Sequence, residues 1–151
     1  MIKILCIGKL KEKYLTEAVT EYTKRIKKYS NLEIVELPDS SIDDNNIALE
    51  KEKKLIEKNI NPKDFIITLE IEGTQLTSVE FAKKLDNTFI ENSNIVFIIG
   101  GSYGIHDDIK KLSKFKLSFS KMTFPHQLFR VILLEQIYRA YKINNKEKYH
   151  K

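Results

Sequence analysis

The sequence predicts an α/β domain with a mostly parallel sheet and helices on both faces. Two observations carry this. Short apolar runs rich in β-branched residues alternate with amphipathic stretches of helical period along the whole chain, and the connections between them are short. One of those runs, IVFII at 95–99, is apolar without interruption, the pattern of a strand buried on both faces. At 151 residues the chain reads as a single domain over 1–151, with no internal repeat, linker or low-complexity tract.

Positions 2–7 (IKILCI) form the first strand, closed by Gly8. Tyr14, Leu15, Ala18, Val19, Tyr22, Ile26 and Tyr29 then recur at helical spacing among lysines and glutamates. LEIVEL at 32–37 alternates and stops at Pro38, a second strand. A polar loop over 39–46 leads into a Lys- and Glu-rich helix over 47–59, ended by Asn61-Pro62. DFIITLEI at 64–71 is the third strand, and Thr77 with Glu80 makes a capping box for a helix through Ile90. The fourth strand, 95–99, runs directly into GGSYG. A short helix around 107–113, a fifth strand at 115–119 and a helix over 127–143 complete the fold.

That last helix is unusual. Leu128, Phe129, Val131, Ile132, Leu133, Leu134, Ile137, Tyr138, Ala140 and Tyr141 wrap almost its whole circumference. A helix apolar all round has to be covered all round. One sheet face is too little cover, so a homodimer interface is the natural supplement. Glu135 and Arg139 stand four apart and are placed to pair.

Lys and Arg outnumber Asp and Glu by 26 to 21, a net charge of +5 that permits a polyanionic partner without requiring one; dimerisation would double it. The single cysteine, Cys6, lies in the first apolar run and reads as a small core residue in a reducing compartment. No run is long enough to span a membrane, and the opening apolar stretch is too short for a signal peptide, so a cytoplasmic protein is expected.

Open α/β sheets bind ligands beyond the carboxyl ends of their strands. The first such loop, GKLKEKY, has no G-x-G-x-x-G, and no P-loop motif occurs, which argues against a standard dinucleotide or P-loop phosphate site. GGSYG reads equally as a tight turn needing positive φ or as a loop that lets a ligand approach. The stretch 118–126, SFSKMTFPH, contains no acid; a ligand there would meet backbone groups and the apolar walls of Met122 and Phe124. His106, His126 and His150 lack metal-ligand spacing, so no metal is assigned. There is no G-x-S-x-G elbow. By itself His126 reads as a helix-start residue or as a base. The terminal Tyr-His-Lys reads as a frayed end or as a stacking ring, an imidazole and a cation gathered for a purpose.

Taken together, TLEIEG at 68–73, FIIGGSYG at 97–104, LSFSKMTFPHQLFRVILLEQIYRA at 117–140 and the terminal YHK resemble the 23S rRNA pseudouridine-N3 methyltransferase family (type H), of the SPOUT superfamily. The likeness covers the whole chain, from the opening strand and GKLKEKY onward. It implies a homodimer with a C-terminal trefoil knot, transferring methyl from S-adenosylmethionine to N3 of a pseudouridine in a 23S rRNA stem-loop. The large subunit within an assembled 70S ribosome is the implied partner. Leu69 and Gly100 would line the cofactor pocket, with the backbone of Phe119, Ser120, Lys121, Met122, Thr123 and Phe124 cradling the adenosyl group.

For the reaction, His150 is the first candidate for base or substrate orienter, with Tyr149 stacking on or hydrogen-bonding the target base. His126 is the second candidate base. Arg130 would hold a phosphate or the uracil carbonyl. Lys151 stands where some relatives end in arginine; it keeps the cation but loses the planar fork. The alternatives are an RNA-binding module without catalysis and a tRNA methyltransferase of the same superfamily.

Overall fold

Strands and helices alternate along the chain in the order β1 (Ile2–Ile7), α1 (Lys13–Ile26), β2 (Leu32–Leu37), α2 (Asn45–Glu57), β3 (Phe65–Gln75), α3 (Ser78–Glu91), β4 (Ile95–Ile99), α4 (Asp107–Leu112), β5 (Phe115–Ser118) and α5 (His126–Asn144). The structure is a computed structural model that describes residues 1–40 and 42–151. The strands form one sheet, ordered β2-β1-β4-β3-β5, in which every adjacent pair is parallel.

The period-2 alternation of the strands assigns the helices to faces. Ile2, Ile4 and Cys6 of β1 and Ile95, Phe97 and Ile99 of β4 point to the face covered by α1, α3 and α5. Leu5, Ile7, Val96 and Ile98 point the other way, toward Ile56 of α2 and Ile109 of α4. All of β4 is buried, as its unbroken apolar run requires. Cys6 is a free thiol inside this core, and burial pushes its pKa up to about 12, so it is an inert packing residue.

Boundaries agree with the sequence expectation to within a residue or two except at the end of β3, and two of the differences have a clear local reason. The helix expected to start at Ile47 starts at Asn45, because Asp44 caps it: Oδ1 accepts from the amides of Asn46 (2.9 Å) and Ile47 (3.1 Å). The expected loop over 39–46 is shorter by that much, and its Ser41 lies outside the described residues. β3 continues past Ile71 to Gln75, because its pairing with β5 shifts between Leu69 and Thr74 and then resumes. Gly73 sits in that irregularity, where a Cβ would come within 2.6 Å of the Lys116 carbonyl oxygen. The Thr77–Glu80 capping box is present in both directions.

The cover over α5 comes mostly from its own chain. Leu133, Leu134, Ile137 and Ala140 pack on the sheet between α1 and α3. Tyr138 and Tyr141 meet Tyr22 and Tyr29, with Tyr29 and Tyr141 stacked at 5.5 Å. What stays uncovered is the N-terminal end, where Leu128 is 40% exposed and Val131 and Ile132 are half-buried. The apolar surface left for a second copy is therefore much smaller than the helix alone implies.

Arg130 is among the largest fully buried side chains. Its Nη1 donates to Glu36 Oε2 at 2.6 Å and its Nη2 to the Gly8 carbonyl at 3.1 Å, so α5 is tied to the ends of β2 and β1. Burial works against a charged Glu36. The Arg130 hydrogen bond, the Leu10 amide and the nearby Arg130 and Lys9 cations outweigh it and hold the carboxyl below its ordinary range. Arg130→Met is expected to cost about 3 kcal/mol in urea unfolding, the low end for a broken buried pair because Glu36 is 35% exposed. A depressed carboxyl contributes above its unfolded pKa and stops contributing as pH falls through its folded one. The difference between wild type and variant should therefore shrink below the ordinary carboxylate range; a difference that persists undiminished there contradicts the pair as its source.

Candidate active site

The carboxyl ends of β3, β4 and β5 open into a cleft of about 470 Å³, within the range of small-molecule sites. Three segments wall it: Leu69–Glu72 of β3, where its pairing with β5 is interrupted, the glycine loop after β4, and the loop from β5 to α5 with His126 and Phe129 behind it.

The glycine loop is both a tight turn and a ligand wall. Gly104 has φ +80, its amide donates to the Gly101 carbonyl at 3.1 Å, and Gly100, Gly101 and Gly104 all line the cleft. A Cβ on Gly100 would collide with the Gly104 carbonyl, so the turn closes only with glycine there.

The 119–124 loop is shaped by aromatic packing. Phe119 meets Phe129 edge-on at 4.9 Å and Phe81 at 6.5 Å, and Phe124 stacks on Phe129 at 6.2 Å. Ser118 Oγ donates to the Ile71 carbonyl at 2.8 Å, fastening the loop's start to β3. Met122 N donates to Ser120 Oγ at 2.9 Å. Among the described residues, 120–124 make no backbone–backbone hydrogen bond; apart from the Ser120 carbonyl, which accepts from Ser118 Oγ at 3.1 Å, and the Met122 amide, their main-chain groups are available to a ligand. Phe119, Ser120, Met122, Thr123 and Phe124 line the cleft with Leu69 and Gly100; Lys121, exposed, does not.

The cleft is not free of acids. Glu70 and Glu72 of β3 and Lys110 of α4 also line it. Thr68 Oγ1 donates to Glu70 Oε2 at 2.6 Å and lies 2.8 Å from Ser113 Oγ, while Glu70 Oε1 stands 3.7 Å from Lys110 Nζ. The loop 118–126 is acid-free as read, but the opposite wall is not. The available signal was the position of Glu70, directly after Leu69.

The four candidates for the reaction fall in three places. His126 lines the cleft as the first residue of α5; its Nδ1 is buried without a partner, and its Cε1 would lie 3.2 Å from a Cβ on Gly8. Arg130 does not reach the cleft. It is 1% exposed with both guanidinium Nη groups engaged, so the expectation that it holds a phosphate or a uracil carbonyl is corrected to a packing role. The apolar sweep of α5 turns this position inward, where only Glu36 and the Gly8 carbonyl can meet a cation.

Tyr149 and His150 lie at the other end of α5. Tyr149 packs edge-on to Tyr138 at 4.9 Å and under the Arg139 guanidinium at 4.7 Å, and His150 Nδ1 is 3.2 Å from Arg139 Nη1. Arg139 is in turn oriented by Glu135, its Nε donating at 2.8 Å, so the expected pair forms. The tail is docked, not frayed. From His126 to Arg139 the helix rises roughly 20 Å at 1.5 Å per residue, so a chain's own tail does not reach its own cleft.

Among the described residues no cluster of His, Cys, Asp and Glu could hold a metal ion. Nor is any helix long and apolar enough to cross a membrane. If Arg139 docks the tail, Arg139→Ala should bring the amide-exchange protection of Tyr149 and His150 down to that of a free terminus. Unchanged protection would mean that ring packing on Tyr138 suffices.

Residues 1–150 match the family model described as "Predicted SPOUT methyltransferase". A relative from Methanococcus maripaludis is 52% identical over 158 aligned positions, covering 99% of each chain. Relatives from Clostridium perfringens and Clostridium botulinum, both named ribosomal RNA large subunit methyltransferase H, are each 48% identical over 157 positions, again 99% of both chains. Among solved structures, one described as "a probable methylase family protein from Haemophilus influenzae Rd KW20" superposes with a TM-score of 0.57 over 99% of this chain and 70% of that one; at 15% identity it speaks to the fold alone. On this evidence, the chain belongs to the SPOUT methyltransferase family.

Proposed function

We propose that the protein is an S-adenosylmethionine-dependent methyltransferase acting on large-subunit ribosomal RNA in the cytoplasm, at N3 of a pseudouridine in a 23S rRNA stem-loop of the assembled ribosome. The observation that carries this reading is the cleft itself. Its main chain over 120–124, free except at the Ser120 carbonyl and the Met122 amide, offers donors and acceptors to an adenine edge, and Phe124, Phe129 and Leu69 offer apolar walls. Near-full-length relatives named for large-subunit rRNA methylation support the substrate class. Bound there, S-adenosylmethionine supplies an electrophilic methyl group.

The chain must then orient the nucleobase and remove the N3 proton as nitrogen attacks carbon and the carbon–sulfur bond breaks with its electron pair leaving on sulfur. In-line positioning contributes most of the rate, and a placed base adds ~10²–10⁴-fold. His126 is the candidate on the cleft wall. His150 Nδ1 accepts from Arg139, which leaves Nε2 carrying the proton in the neutral ring; that suits His150 to orient a uracil carbonyl. With roughly 20 Å between cleft and tail in one chain, the Tyr149–His150 pair serves a cleft only from a second copy. An isologous homodimer with the two α5 helices antiparallel meets that requirement and covers Leu128. The knotted threading of α5 belongs to the same reading.

Mass spectrometry of rRNA from a strain lacking the protein tests the substrate: one methyl should vanish from one pseudouridine, and an unchanged methylation map contradicts the reading. Deleting residues 149–151 should leave S-adenosylmethionine affinity near wild type while transfer to ribosomes falls at least ~10²-fold, the scale of a lost catalytic group. Unchanged transfer would remove the tail from the mechanism.

A further inference from the structure

Residues 8–12 belong to no helix or strand, yet they are fixed at four main-chain points. Gly8 N donates to the Leu37 carbonyl at 2.7 Å, and Arg130 Nη2 donates to the Gly8 carbonyl at 3.1 Å. Leu10 N donates to Glu36 Oε2 at 2.9 Å, and Lys11 N donates to Gln127 Oε1 at 3.0 Å. The side chains that hold the loop come from β2 and the first turns of α5. Ordering a loop costs conformational entropy, and this one contributes little to the core; Leu10 is its most covered apolar residue, and only half-buried.

What the loop presents is charge. Lys9 and Lys11 are exposed, and neither makes an ion pair among the described residues, whereas Lys13, just beyond, pairs with Glu17. The loop also adjoins the cleft, since Gly8 lies against the His126 ring, which lines it. Two unpaired ammonium groups on a fixed main chain that abuts the cleft-lining His126 are placed to meet the sugar–phosphate backbone beside a base held in the cleft. Phosphate contacts position a nucleic acid without reading its sequence, and lysine serves them as a point charge.

We infer that residues 8–12 form the phosphate-binding rim of the RNA site, with Lys9 and Lys11 contacting the backbone of the substrate strand and Gln127 and Arg130 positioning them. The inference rests on the reading of the chain as an rRNA methyltransferase and extends it to a specific surface.

The test is the double variant K9A/K11A beside wild type and K9R/K11R, with 70S ribosomes as the probe. Binding is followed by co-sedimentation between 50 and 200 mM KCl, methyl transfer in parallel, and S-adenosylmethionine affinity by calorimetry. Two lost phosphate contacts, at ~0.7–0.9 each, should lower the slope of log affinity against log salt by about 1.5. The ribosome KM should rise about tenfold more at 50 mM than at 200 mM KCl, with cofactor affinity unchanged and K9R/K11R near wild type. Equal affinity and slope for K9A/K11A and wild type overturn the inference, as does wild type that fails to bind ribosomes. Binding that weakens as stated while wild type transfers no methyl supports the rim and refutes the proposed reaction; full transfer with unaltered binding does the reverse.

Discussion

A guanidinium buried at the start of α5 is the point from which the rest of the site is set out. Arg130 meets Glu36 at the end of β2 and the Gly8 carbonyl at the end of β1, and it is tolerated there because two acceptors repay its desolvation. That tie fixes where α5 begins. His126 and Phe129 are placed by it, and Phe129 in turn holds Phe119 and Phe124, which shape the cleft loop. The first loop of the chain and the last helix, more than a hundred residues apart in sequence, become one wall.

The cleft joins a loop of largely unpaired main chain to apolar side-chain walls. Phe119 and Phe124 pack on Phe81 and Phe129 and so set the course of the backbone between them. Serine at 118 and glycine at 100 matter for the same reason: one fastens the loop to β3, the other lets a turn close. Formal charge in the cleft is confined to the β3 side, where Glu70 faces Lys110, with Glu72 beside it.

The elements were legible in the sequence wherever one interaction pattern dominated. An unbroken apolar run gave the central strand β4, and the Thr77–Glu80 pair located a helix start to the residue. Boundaries moved where a side chain acted locally, as with Asp44, or where a bulge such as that at Gly73 restarted a strand. Long-range pairing was not legible. An arginine just past a ligand loop reads as a ligand group, and its partner, Glu36, lies ninety-four residues away. Glu70 was missed because the cleft loop itself is acid-free and only the parallel packing of β3 on β5 brings the acid beside it. The apolar circumference of α5 foretold burial correctly but not by whom, since α1 and α3 supply most of the cover. The tail, open between frayed and functional, proves to be held by Arg139 and Tyr138 at the far end of the helix.

The central claim is that the main-chain cleft at the ends of β3, β4 and β5 holds S-adenosylmethionine. Titration calorimetry on the purified protein addresses it most directly. One molecule bound per chain, displaced competitively by S-adenosylhomocysteine, is the result this account requires. The absence of saturable binding at millimolar cofactor would contradict it.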